Sequence, residues 1–165
     1  MDDRSPLVSP DHPALRSVAE YVPTYDEAID ASRKMIEACE KYGGIGLAAP
    51  QIGLSWRLIV VSMFPDWKIE GWLVLVDPVI VETHGETQST EGCLSLVGVQ
   101  VVVPRAKRLS VDSMCLQYGK RPIDPPPTRR SINKASGLTA IIIQHEVDHL
   151  SGILIDKYLT AASVG

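Results

Sequence analysis

The stretch Leu138-Thr139-Ala140-Ile141-Ile142-Ile143-Gln144-His145-Glu146-Val147-Asp148-His149-Leu150 constrains the fold more than any other part of the chain. Its first half is apolar on nearly every side, which is the pattern of a buried helix. Its second half contains His-Glu-x-x-His. On a helix His145 and His149 stand one turn apart on the same face, where two imidazoles reach a single metal ion. Glu146 follows the first histidine and can reach a water on such an ion without ligating it. The same spacing would also suit two histidines on a solvated face. The apolar run argues against that, because buried imidazoles cost free energy unless they find partners, and a metal satisfies both. Gly152 is placed to stop the helix.

A metal held by two histidines needs a third ligand. Glu91-Gly92-Cys93-Leu94-Ser95 offers Cys93, and a thiolate with two imidazoles leaves a fourth position open, as in catalytic zinc sites. The cysteines, Cys39, Cys93 and Cys115, are three in number and far apart. That use of single thiols fits a reducing compartment. Cys39 reads as a small buried hydrophobe on a helix face and Cys115 as a packing residue in a strand. His12, flanked by two prolines, reads as a surface residue, and His84 as a loop residue.

The 165 residues are expected to form one domain, 1–165. A net charge of −4 gives no electrostatic case for a nucleic acid as main partner. No apolar run reaches the length of a bilayer span, so no membrane contact is expected. Met1–Pro6 is acidic and lacks the apolar core of a signal peptide. A cytoplasmic protein is the expectation, with an organelle as the alternative if a transit segment has been removed.

Thr24-Tyr25-Asp26-Glu27 is a capping box that opens a helix over Tyr25–Tyr42, ended by Gly43 and Gly44. A shorter helix is expected near Pro13–Ala19. Gly44-Ile45-Gly46-Leu47-Ala48-Ala49-Pro50-Gln51-Ile52-Gly53 reads first as a glycine-rich connection. Read more sharply, it is a substrate-facing segment in which Gln51 offers an amide donor. Strands are expected at 57–61, 72–76 and 79–81, with Asp77-Pro78 as a turn and the polar run 83–90 as a loop. Further strands are expected at 99–103, ending at Pro104-Arg105, and at 109–112 and 114–118. The prolines of 123–131 favour an extended loop. Arg129, Arg130 and Lys134 read as a solvated basic patch, with RNA or a ribosome surface as the alternative contact. The fold class is α+β: small antiparallel sheets around a central buried helix that carries the His-Glu-x-x-His motif.

Three segments stand in one order and spacing: Gly44-Ile45-Gly46-Leu47-Ala48-Ala49-Pro50-Gln51, Glu91-Gly92-Cys93-Leu94-Ser95 and Gln144-His145-Glu146-Val147-Asp148-His149. Together they resemble the three motifs of peptide deformylases, and the likeness runs from about Pro10 to Lys157. The resemblance implies that Cys93, His145 and His149 bind one divalent metal. Fe(II) is the usual ion in the family, and Zn(II), Ni(II) or Co(II) can replace it. It implies Glu146 as general base and then acid, Gln51 and the Leu94 N–H as an oxyanion hole, and Gly46 as a bond to the substrate backbone. The implied substrate is the N-formyl-methionyl end of a new polypeptide. Ile45, Leu94, Ile141 and Ile142 are candidates to line the methionine pocket. Arg105 stands where the family has an arginine that pairs with Glu91.

The chain departs from the family in several places. Val97 replaces a usual proline, Gln100 a basic residue of some relatives, and a longer proline-rich loop at 124–135 a strand-like segment. The family's C-terminal extension is nearly absent. Two other readings stay open at this level. One is a non-catalytic, metal-stabilised binder of formyl peptides or of a ribosomal partner. The other is a zinc endopeptidase, which lacks a further downstream ligand.

Overall fold

The computed structural model describes residues 5–123, 127–128 and 130–160. Its elements in order are a 3-10 turn at Pro13–Arg16, helix α1 at Tyr25–Tyr42, strand β1 at Gly46–Ala48 and a 3-10 turn at Ala49–Ile52. Then come β2 at Leu58–Ser62, a short helix α2 at Phe64–Trp67 and the long strands β3 at Trp72–Cys93 and β4 at Leu96–Gly119. They are followed by β5 at Ser131–Ser136, helix α3 at Gly137–Leu150 and a 3-10 turn at Ile155–Tyr158. The strands form one antiparallel sheet in the order β1-β2-β3-β4-β5.

The sheet is covered on both faces where it is widest. Side chains alternate across a strand, and here the alternation sorts them between two cores. Leu58, Val60, Val74 and Val76 pack with Ala28, Ala31, Met35 and Cys39 of α1. Ile59, Val61, Leu73 and Leu75 pack with Ala140, Ile142, Ile143 and Leu150 of α3. That is why β2 is apolar at four successive positions, all fully buried: it is sandwiched between two helices. The third helix of the fold, α2, adds Trp67 to the α3 side.

Helix α1 begins and ends at the residues its caps dictate. The Thr24 hydroxyl accepts from the Glu27 N–H and donates to the Glu27 carboxylate, and Gly43 closes the helix in the left-handed region at φ 68°. His12 caps the first 3-10 turn, its Nδ1 accepting from the Ala14 N–H. Helix α3 is closed through Gly152, which has φ 70°. Its N-terminus is capped from outside, the Asp66 carboxylate of α2 accepting from the Thr139 N–H.

Several sequence expectations change. The small sheets are one sheet. Asp77-Pro78 is no turn but a bulge inside β3, where the register shifts between Val76 and Val79 and Asp77 takes φ 50°. The polar run 83–90, His84 included, is strand rather than loop, paired with 102–109 of β4. Its own side chains are exposed or half-buried, the buried residues here being Val103, Arg105 and Leu109 of β4, so hydrophobic alternation carries no signal in 83–90. Pro104 does not end a strand, because residues 96–107 of β4 have, among the described residues, β3 as their one strand neighbour, and a strand with an open edge tolerates proline.

The stretch 124–135 is not all loop, since Ser131–Ser136 pairs with Arg108–Ser113 as β5. Residues 124–126 and Arg129 lie outside the described residues. Arg130 is no free cation: its guanidinium binds the Asp112 carboxylate at 3.0 Å and the Asp77 and Asp112 carbonyls at 2.8 Å. Helix α3 is not buried on every side either, for Leu138 is 39% exposed.

Candidate metal centre

Four segments converge at one end of α3. The helix contributes His145, Glu146 and His149 from a single face. The β3–β4 hairpin turns on only Leu94 and Ser95, so Cys93, paired with Leu96, stands at its tip. The edge strand β1 passes close over the helix. A Cβ on Gly46 would lie 2.6 Å from Ile142 Cγ2 and 2.7 Å from Glu146 Oε1, so any side chain there would displace both. The 3-10 turn after β1 supplies Gln51, which is 2% exposed.

The ligating atoms of Cys93, His145 and His149 lie within 4.8 Å of one another. Cys93 Sγ is 3.5 Å from His149 Nε2, and the two imidazole rings meet edge to face with centroids 5.1 Å apart. On His145 the other ring nitrogen, Nδ1, is taken by Glu91 Oε2 at 2.9 Å, which leaves Nε2 for a metal. Glu146 is 4% exposed, and among the described residues its Oε2 has no hydrogen-bond partner. A borderline-soft set of one sulfur and two nitrogens, converging beside an unsatisfied buried carboxylate, fits a four-coordinate divalent ion that keeps one position open.

The ionic surroundings support that fit. Burial alone would raise the Glu91 carboxyl, but hydrogen bonds from Arg105 and His145 outweigh it and bring the pKa down to about 2. Burial lowers His145, yet bonds to Cys93 and Glu91 and the Glu146 charge hold it up at about 10 in the metal-free protein. Burial drives His149 well below its ordinary value, assisted by the charges of His145 and Arg105, so this ring is neutral and ready to ligate. Burial pushes Glu146 up to about 7, near the value that suits a group exchanging protons at neutral pH.

Arg105 organises this shell. It binds Glu91 through two 2.8 Å bonds and reaches the Asp148 carboxylate at 2.6 Å, so it ties β3, β4 and α3 together. Sequence reasoning paired Arg105 with Glu91 but missed Asp148. It also missed Gln144, whose amide accepts from the Ala106 N–H at 2.8 Å and donates to the Ala106 carbonyl at 3.0 Å. That double bond clips the helix to β4 beside the first histidine. The available signal was a polar side chain on a buried helix, which must find a partner. Ser95 was missed as well: the Gln51 amide donates to its hydroxyl at 3.1 Å.

The cleft above these groups has a volume of about 1000 Å³, and Ile45, Leu94, Ile141 and Ile142 all line it. So do Val97, which is 90% exposed, and Gln100. Cys39 and Cys115 are buried in the cores and His84 pairs with Glu82 on the surface, so none of them joins the site.

An α+β sheet wrapped on a helix, with thiol and imidazole donors beneath an open cleft, defines the chain as a metallohydrolase. A family model, that of polypeptide deformylase, matches residues 5–163. The chain is 41% identical over 144 residues to the peptide deformylase of Dictyoglomus thermophilum, covering 87% of this chain and 84% of that one. It superposes on the peptide deformylase of Thermus thermophilus with a TM-score of 0.81 at 34% identity, covering 97% and 88% of the two chains. Against a peptide deformylase from Synechococcus elongatus in complex with actinonin the TM-score is 0.79 at 33% identity, with 98% and 83% covered. The chain belongs to the peptide deformylase family, metalloenzymes that remove the N-formyl group from nascent polypeptides.

Proposed function

We propose that residues 1–165 work as one deformylase domain in which Cys93, His145 and His149 hold a single divalent ion. Fe(II) is the physiological ion in this reading, and Zn(II), Ni(II) or Co(II) take its place. When bound, the ion supplies Lewis acidity toward the formyl oxygen and makes a water acidic enough to lose its proton near neutral pH. The protein groups do the rest. Glu146 takes up that proton and later delivers it to the leaving amine. Its burial raises the carboxyl toward neutrality in the metal-free chain, the direction that suits a group exchanging protons near neutral pH.

As the formyl carbon becomes tetrahedral, charge gathers on its oxygen. The Gln51 amide and the Leu94 N–H are the donors aimed at it. Removing one such donor typically costs about 3–4 kcal/mol of barrier. Gly46 offers the free edge of β1 to the peptide backbone, since among the described residues β1 has β2 as its one partner in the sheet. Ile45 and Leu94 with Ile141 and Ile142 receive the methionine side chain. The partner is the N-formyl-methionyl end of a nascent chain, met in the cytoplasm and near the ribosome surface.

The observation that carries this reading is the meeting of Glu146, Gln51 and the Cys93-His145-His149 cluster in one cleft. Formate release from a short formyl-methionyl peptide, measured anaerobically on Fe(II)- or Ni(II)-loaded protein, tests it. Rapid release abolished by Glu146→Gln with metal retained supports the assignment. Release that survives Glu146→Gln, or none from fully loaded wild type, overturns it.

A further inference from the structure

The Gln51 side chain is held at both ends. Its Oε1 accepts from the Ala48 N–H at 2.9 Å. A backbone N–H can only donate, so this contact fixes which end of the amide is oxygen and turns the NH2 group toward the hairpin tip. There Nε2 lies 3.1 Å from Ser95 Oγ and 3.7 Å from Cys93 Sγ. An NH2 group has two hydrogens. One is donated to Ser95, and the other faces the Cys93 sulfur in a long 3.7 Å contact at the metal cluster. Ser95 is 3% exposed, too deep to serve solvent or to touch the peptide. Among the described residues its hydroxyl has Gln51 as its hydrogen-bond partner.

We propose that Ser95 is a positioning residue for deformylation. It takes one hydrogen of the Gln51 amide so that the other points at the formyl oxygen. This deepens the reading of Gln51 given above and rests on it. The reason for a second anchor is geometric. With Ala48 and the long Cys93 contact alone the amide can swing about its Oε1 contact, and the hydrogen on the metal side sweeps out of line. With Ser95 the plane is fixed before substrate arrives, and no reorganisation accompanies the rise in charge. The serine stands on the two-residue turn that also carries Cys93 and Leu94. The same turn therefore sets the thiolate, one backbone donor and the orientation of the other donor.

The test is a double-mutant cycle on the zinc-loaded enzyme with Ser95→Ala, Gln51→Ala and the pair. Ser95→Ala is expected to bind zinc one to one, lower kcat about 10-fold and leave KM within about two-fold. In the Gln51→Ala background the same change is expected to cost less than about two-fold, since there is nothing left to aim. A second readout does not depend on turnover. The two side-chain amide protons of Gln51, assigned by their loss in Gln51→Ala, are expected to be slow to exchange in wild type and fast in Ser95→Ala. Equal losses in both backgrounds, unchanged kcat in Ser95→Ala, or unchanged exchange would each overturn the role of Ser95. If Gln51→Ala keeps full activity while Ser95→Ala still frees the amide protons, what fails is the reading of Gln51 as a donor. Ser95 would then hold an amide that the reaction does not use, and its proposed role in deformylation falls with that reading.

Discussion

Replacing Arg105 by methionine is expected to expose how much of this site rests on one buried cation. Arg105 is 5% exposed and Glu91 7%, so neither side chain has water to fall back on. The folded protein holds Glu91 at about 2 against an ordinary 4.5. That difference, to which Arg105 and His145 both contribute, is equivalent to about 3 kcal/mol at neutral pH and is an upper bound on the share of Arg105. Stranding one member of a buried ion pair costs about 3–5 kcal/mol in general, which agrees. The sign with pH follows from the direction of the shift. The unfolded chain binds the extra proton, so the contribution is complete above about 4.5 and is lost as pH falls through about 2. Urea unfolding of metal-free protein is therefore expected to show Arg105→Met less stable by up to about 3 kcal/mol near pH 7, with the gap narrowing as pH is lowered from about 5 to about 3. Adding Glu91→Met to that variant removes the stranded charge. Stability is expected to recover to within about 1 kcal/mol of wild type, while zinc affinity stays at least about 10-fold weaker because His145 Nδ1 has lost its acceptor. A gap below about 1 kcal/mol, or one that does not change with pH, would refute the account of Arg105 as the counter-charge of Glu91.

Three further outcomes are expected. Gly46→Ala is expected to stay folded, with Tm within about 3 °C of wild type, but to lose at least about 10-fold in kcat. The atoms its Cβ displaces are the ends of Ile142 and Glu146, which can swing aside at the expense of the carboxylate's position. Gly71→Ala is expected to do the opposite and destabilise the fold by more than about 3 kcal/mol, read by urea unfolding. A Cβ there would lie 2.1 Å from the Gly119 carbonyl carbon, on backbone that cannot yield, and Gly71 has φ 124°. Zinc binding to metal-free protein near pH 7.5 is expected to release at least one proton, from the His145 ring held at about 10. Calorimetry in buffers of different ionisation enthalpy measures it, and a heat independent of buffer would contradict the protonated ring.

The parts of this protein legible from sequence are those whose cause is local. A capping threonine and a left-handed glycine bound α1 to the residues expected from them. The apolar run 138–143 marked the core helix, and the His-Glu-x-x-His spacing marked the face that carries its histidines. Cys93, His145, His149 and Glu146 stood out as candidates because few residue types can bind a metal or move a proton, and Gln51 stood out through the resemblance to peptide deformylases.

What tertiary structure decided has non-local causes. The ribbon 83–90 is a strand because β4 folds back along it, not because of its own pattern. Residues 131–136 are a strand for the same reason, through β4 once more. The Arg105 cation finds both Glu91 and Asp148, the Asp66 carboxylate caps a helix 73 residues away, and Ser95 meets Gln51 across 44 residues. A hydrogen bond between residues far apart in sequence leaves no periodic trace in either segment. It exists only once the sheet has brought the two segments together.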